Sequence, residues 1–164
     1  MSLSRYLVPV LAAATLVGCG FQLRGETGLD LKTINVTQAG ASQVAAEIRR
    51  TLSTSQTRVV NPPEVAEAHL RILREAREKT IYTLTGAGRV YEYQLRLAVQ
   101  YQLTAPKLDA PVIAPTEVEA RRLITYVESA PIAKDAEEEL LYKDMQADLA
   151  RQILRRVAAA KREM

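Results

Sequence analysis

Between Tyr91 and Leu103 apolar and polar residues alternate almost perfectly. Tyr91, Tyr93, Leu95, Leu97, Val99, Tyr101 and Leu103 fall on one face; Glu92, Gln94, Arg96, Ala98, Gln100 and Gln102 fall on the other. Period two over so long a run predicts a strand with one buried and one polar face. His69 to Leu84 alternates less cleanly, with Leu70, Ile72, Ala76 and Tyr82 expected inward. Gly86-Ala87-Gly88 between the two runs is a hairpin signal. Pro106, Pro111 and Pro115 punctuate the next loop, and Glu117 to Val127 reads as a further strand. There Val118, Ala120, Ile124 and Tyr126 point inward, Glu117, Glu119 and Thr125 outward, and Arg122 interrupts the inward set.

Helical spacing appears twice. Ser42 caps a predicted helix through Leu52, with Val44, Ile48 and Leu52 on one side. The second helix is expected to begin with Asp135 as N-cap and Glu138 three residues later. Its apolar stripe is Leu141, Met145, Leu149, Ile153 and Val157. Acidic residues crowd its start, and Arg151, Arg155, Arg156 and Lys161 crowd its end, as the helix dipole favours. A first strand is expected over Leu29 to Val36, ended by Gly40, and a short one over Thr57 to Val60 before the Asn61-Pro62-Pro63 turn. This order predicts an α+β two-layer sandwich. Its sheet is mostly antiparallel and four-stranded, with two helices packed on one face.

The N-terminus has a different pattern. Arg5 precedes an apolar run from Leu7 to Val17, and Leu16-Val17-Gly18-Cys19 closes it. The run is too short to span a bilayer, which takes about 20 apolar residues, and Pro9 interrupts it. Residues 1–18 therefore read as a lipoprotein signal peptide and residues 19–164 as one domain anchored through Cys19. The expected modification of Cys19 is an N-acyl group with an S-diacylglycerol. Several acyl chains hold firmly where one holds weakly.

Composition narrows the function. The chain has 164 residues, a formal net charge of +3, one cysteine and no tryptophan. With Cys19 committed to lipid there is no disulfide framework, and the mild basicity does not fit a nucleic-acid binder. His69 is the only histidine, so a Ser-His-Asp arrangement would have to use it, and no Gly-x-Ser-x-Gly elbow accompanies it. Metal sites need several convergent ligands, and no such grouping stands out. Gly86-Ala87-Gly88 lacks the helix and lysine of a phosphate loop. The expectation is a non-enzyme with no catalytic residues, no metal and no cofactor beyond the lipid. What remains is a polar sheet surface carrying Glu92, Gln94, Arg96, Gln100 and Gln102, with Arg74 and Arg121 near it.

Cys19-Gly20-Phe21-Gln22-Leu23-Arg24-Gly25 resembles the start of mature proteins of the LptE family, the LPS-assembly lipoproteins of Gram-negative bacteria. Tyr91-Glu92-Tyr93-Gln94-Leu95 resembles the family's central strand. Ala133-Lys134-Asp135 and Gln152-Ile153-Leu154-Arg155-Arg156 resemble its closing segment. The resemblance implies a domain seated largely inside the β-barrel of LptD in a 1:1 complex, helping to deliver lipopolysaccharide to the outer leaflet. It implies an outer-membrane location, which Gly20 after the lipidated cysteine also suits. It further implies lipopolysaccharide contacts from Lys134 and from a basic residue at the middle hairpin. Arg89 is the match here, although the family's arginine tends to precede the turn. The competing expectation is a periplasmic lipoprotein adaptor that binds or activates a peptidoglycan enzyme. Against it, few residues separate Cys19 from the first strand, too few for a long flexible linker.

Overall fold

A computed structural model describes residues 29–126 and 131–161. The expected signal peptide, residues 1–18, and Cys19 lie outside the described residues. The chain runs β1 (Thr33–Gln38), α1 (Gln43–Ser53), β2 (Arg58–Val59), a short 3-10 turn (Pro63–Val65), β3 (Ala68–Leu84), β4 (Val90–Thr104), β5 (Ile113–Thr125) and α2 (Pro131–Ala160). The five strands form one sheet in the order β2-β1-β3-β4-β5. Both helices pack on one face, so the α+β sandwich holds.

The sheet itself is mixed. β1 pairs with both β2 and β3 in parallel, while β3–β4 and β4–β5 are antiparallel. The expected four-stranded, mostly antiparallel sheet is corrected on that point. The cause is α1, which carries the chain back across the sheet between β1 and β2, and a crossover connection makes neighbours parallel. β1 also begins at Thr33 rather than Leu29; Leu29 and Leu31 are buried in the core just ahead of it.

α1 begins where Ser42 caps it: the Ser42 Oγ accepts from the Ala45 amide at 3.0 Å. Val44, Ala45, Ile48 and Leu52 are its buried face. α2 begins earlier than expected. Pro131 is its first residue and Asp135 lies inside it, so Asp135 is not the N-cap. Proline suits that opening position because its missing N–H would have no intrahelical partner there. Met145, Leu149, Ile153 and Val157 are buried as the stripe predicted, joined by Tyr142, Ala150 and Leu154. These meet Leu95, Leu97, Val99, Tyr101 and Leu103 of β4 in one continuous core. The hairpin over Gly86 to Gly88 forms as expected, with Gly88 at φ 74°, the left-handed region that suits glycine. The Gly88 amide donates to the Thr85 carbonyl at 2.9 Å.

A single bulge decides what the two faces of β3 carry. The register steps between Ile72/Tyr101 and Arg74/Gln100, leaving Leu73 as the extra residue. A one-residue step sends every later side chain to the opposite face. Before it, Leu70 and Ile72 enter the core. After it, Glu75, Arg77 and Lys79 share the helix side with Val99, Leu97 and Leu95. Arg74, Ala76, Glu78 and Thr80 turn to the open side. Ala76, expected inward, therefore lies opposite Ala98 on the open face. Tyr82, also expected inward, sits at a second irregularity between Ile81 and Thr83 and is exposed.

Candidate partner-facing surface

The helix-free face of β3, β4 and β5 carries a row of polar and charged side chains. Arg96 stands at its centre, paired across the sheet with Glu78 on one side and Arg121 on the other. Its guanidinium donates to three carboxylates: Glu119 through Nε at 2.6 Å, Glu117 at 2.8 Å and Glu78 at 3.1 Å. Glu119 also receives Arg121 at 2.6 Å. The planar fork of arginine is suited to such multiple capture. Hydrogen bonds from Arg96 hold the Glu119 carboxyl below its usual range, and Glu119, followed by Glu78, pushes the Arg96 guanidinium up.

Four more of the sequence-predicted residues lie on this face with Arg96. Glu92 accepts from Thr83 Oγ1 at 3.0 Å. Gln94 stands between Thr80 and Leu123, Gln100 between Arg74 and Glu117, and Gln102 opposite Arg71. All five are partly exposed. Arg74 and Arg121 join them, as the sequence suggested. Glu78 was missed. Its place on this face follows only from the bulge at Leu73, which leaves no mark in the apolar pattern.

The two predicted basic contact residues lie on separate elements. Arg89 closes the β3–β4 hairpin, where its amide donates to Thr85 Oγ1 at 3.1 Å. Lys134 lies in the first turn of α2, not in a loop, and pairs with Glu137 at 2.7 Å. The start of α2 is fastened to the distal half of β3, on the way to that hairpin. Lys79 meets Glu138 at 2.6 Å, and Arg77 meets Glu139 at 3.2 Å. Lys79 also lies 4.6 Å from the Tyr93 ring centroid, Arg77 lies 4.7 Å from that of Tyr142, and Tyr142 donates to the Glu78 carbonyl at 3.0 Å. This end of the molecule is also where Ile81, Tyr82, Leu84 and Tyr91 are exposed.

Among the described residues His69 has no carboxylate partner. It shares a 2.8 Å hydrogen bond with Thr37 Oγ1, and burial, then Arg71, lowers its pKa. Among the described residues no group of three or more His, Cys, Asp or Glu is arranged to hold a metal ion. The glutamates around Arg96 are occupied by a cation the chain itself supplies. No helix of the described residues is long and apolar enough to cross a membrane.

A family model described as LptE, lipopolysaccharide-assembly, matches residues 31–157. The chain belongs to the LptE family. It is 28% identical over 155 residues to the LPS-assembly lipoprotein LptE of Pectobacterium atrosepticum, covering 92% of this chain and 83% of that one. It is 31% identical over 159 residues to that of Yersinia enterocolitica, covering 93% and 75%. Among solved structures it resembles the uncharacterized lipoprotein B of Nitrosomonas europaea, with a TM-score of 0.73, 36% identity and coverage of 85% and 91%. It shares its fold with the rare lipoprotein B of Shewanella oneidensis, with a TM-score of 0.70, 23% identity and coverage of 80% and 97%. The LptE match spans β1 to α2, and so includes the whole polar face.

Proposed function

We propose that this LptE-family chain is a lipid-anchored, non-catalytic partner of the LptD β-barrel that helps deliver lipopolysaccharide to the outer leaflet of the outer membrane. The observation that carries the reading is the Arg96 surface. A large transmembrane barrel has a polar interior, and a plug within it must present hydrogen-bonding groups whose charges already have partners. Arg96, its three carboxylates and Arg121 make a wall in which each charge is paired, flanked by Gln94, Gln100 and Gln102. Burying unpaired charge would be costly; this face carries its counter-charges with it.

Anchoring through Cys19, as the first residue of the mature chain with an N-acyl and an S-diacylglycerol group, would hold the domain close to its membrane. Arg89 and Lys134 would meet the phosphates of lipopolysaccharide, the first as a fork and the second as a point charge.

Photo-crosslinking from Gln94, Gln100 and Gln102 in the living envelope tests the partner. LptD is expected on each crosslink. A peptidoglycan enzyme in its place would establish the adaptor role, and absence of any barrel protein after co-purification would remove the plug. Intact-mass measurement tests the anchor: Cys19→Ala should lose the acyl mass, and an unchanged lipid mass would refute the assignment. Lys134→Glu should weaken lipopolysaccharide binding in a chain that still folds.

A further inference from the structure

In a regular strand residues three apart lie on opposite faces, so Arg71 and Arg74 would point away from each other. The bulge at Leu73 changes that. Arg71 pairs with Gln102 and Arg74 with Gln100, which places both arginines on the helix-free face, at neighbouring positions about 7 Å apart. Both are exposed. Thr37 of β1 lies beside Arg71, and the pairing of β1 with β3 ends at Gln38 and Ile72. No strand of the described residues therefore flanks Arg74 on that side. The Arg96 end of this face carries its counter-charges, with Glu78, Glu117 and Glu119 all held by Arg96. The Arg71 end does not. Glu117 shares a row with Arg74, but Gln100 stands between them. Among the described residues no carboxylate pairs with Arg71 or Arg74. The uncompensated charge of Arg71 reaches His69, whose pKa is lowered by burial and then by that arginine.

We propose that Arg71 and Arg74 form a phosphate-binding site, with Gln100, Gln102 and Thr37 at its rim. Two adjacent guanidiniums offer two planar forks to one ligand. A single carboxylate is filled by one bidentate fork. A phosphate group carries three strong acceptor oxygens and nearly two charges, enough for both arginines. The glutamine amides and the threonine hydroxyl are neutral donors for the remaining oxygens, and the rim holds no acid to repel the anion. The phosphate can belong to a phosphorylated glycolipid headgroup or be free in solution; the recognition chemistry is the same. From Arg74 to the start of the hairpin that bears Arg89, β3 runs on for about 33 Å. The site is therefore separate from the contacts proposed for Arg89 and Lys134, rests on neither, and does not depend on LptD.

The test is nuclear magnetic resonance of the isotope-labelled full-length chain in uncharged detergent micelles, read at the arginine Nε–H signals. Sodium phosphate is expected to shift the Arg71 and Arg74 signals saturably, and sodium acetate at equal ionic strength is not. Arg71→Gln and Arg74→Gln assign the signals, and each should raise the half-saturating phosphate concentration at least about tenfold, the loss of one charge-assisted pair. The double substitution should abolish saturation. Both side chains are exposed, and unchanged urea midpoints check that the variants fold. Lipopolysaccharide, intact and stripped of phosphate with hydrofluoric acid, separates the two sources. Tighter binding of the intact lipid, lost on dephosphorylation and in the double variant, assigns the site to a headgroup. Saturation by inorganic phosphate alone assigns it to the free anion. Signals at both arginines that no phosphate probe shifts overturn the proposal, as do acetate shifts equal to those of phosphate. A double variant that binds every probe as the unsubstituted chain does also overturns it. Failure of lipopolysaccharide alone would count against the contacts proposed for Arg89 and Lys134, and inorganic phosphate would still decide this site. If the phosphate probes do nothing and the double variant no longer co-purifies with LptD, the arginines serve a carboxylate of that barrel and the proposal is overturned.

Discussion

Glu75 on β3 accepts a 2.6 Å hydrogen bond from the hydroxyl of Ser42, the N-cap of α1, and a second from the Val44 amide at 3.1 Å. Ser42 in turn caps Ala45, so one serine and one carboxylate satisfy two amides of the first turn and join the helix to the sheet. A carboxylate at a helix N-terminus is also favoured by the dipole. Ser42→Ala is expected to cost about 1–2 kcal/mol, the upper part of the N-cap range, because it removes both the cap and its tie to Glu75. Glu75→Gln should cost less, since the amide oxygen can still accept. Urea denaturation of the two variants checks the order; equal losses would mean that the charge, not the cap, matters.

Glu75 also shows where the sequence stops being readable. β4 was legible because both its faces are regular: each of Leu95, Leu97, Val99, Tyr101 and Leu103 is buried. The same holds for Val44, Ile48 and Leu52 on α1. β3 was legible only as far as Ile72. Its bulge at Leu73 replaces apolar residues on the helix side with Glu75, Arg77 and Lys79, whose partners are Ser42, Glu139 and Glu138. Those partners come from distant elements, so no local period could announce them. The parallel pairing of β1 was hidden for the same reason, since register between remote segments is a tertiary outcome. Arg96, Gln94 and Gln100 were found because they alternate with core residues; Glu78 was lost behind the bulge.

His69 should make the domain sensitive to mild acid. Burial, with the charge of Arg71, lowers its pKa in the folded chain, while the unfolded chain titrates near the ordinary value of about 6.5. As the pH falls below that value the unfolded chain takes up the proton first. Stability from neutral His69 is fully present above about pH 6.5 and is lost as the pH falls through the lowered folded value. His69→Gln, which retains a partner for Thr37, is expected to flatten stability between pH 7.5 and about pH 5. Urea midpoints measured across that range, for both chains, check it; parallel curves would exclude His69 as the source.

The Arg96 cluster should act at lower pH. Hydrogen bonding from Arg96 keeps the Glu119 carboxyl ionised below its ordinary range. That contribution is present above about pH 4.3 and disappears as the pH drops through the lowered folded value. Arg96→Gln removes the guanidinium and leaves a donor. The urea midpoints of the two chains are expected to differ at pH 7 and to converge as the pH falls towards 3. A gap that persists in acid would show that Arg96 acts through packing of its stem.

Arg122 interrupts the inward row of β5, yet it faces the helices from a position opposite Leu95. Its partner is Asp148 of α2, which Arg151 also approaches, at 2.6 Å. The Arg122 and Asp148 side chains are about 40% exposed, so water screens the pair and its contribution is limited to about 0–1 kcal/mol. Val118 and Ile124 on the same face are buried, and an apolar side chain at 122 would extend their row. Arg122→Leu is therefore expected to change stability by less than about 1 kcal/mol, since added apolar contact offsets the lost ion pair. Asp148→Ala removes the acceptor for two arginines and gains nothing, so it should be the more harmful change. Raising NaCl to 1 M should shrink the Asp148→Ala loss, because exposed pairs are screened over about 3 Å at that strength. Urea is the denaturant to use, as guanidinium would supply that salt itself. A larger loss from Arg122→Leu than from Asp148→Ala would show that the arginine holds β5 through contacts other than this ion pair.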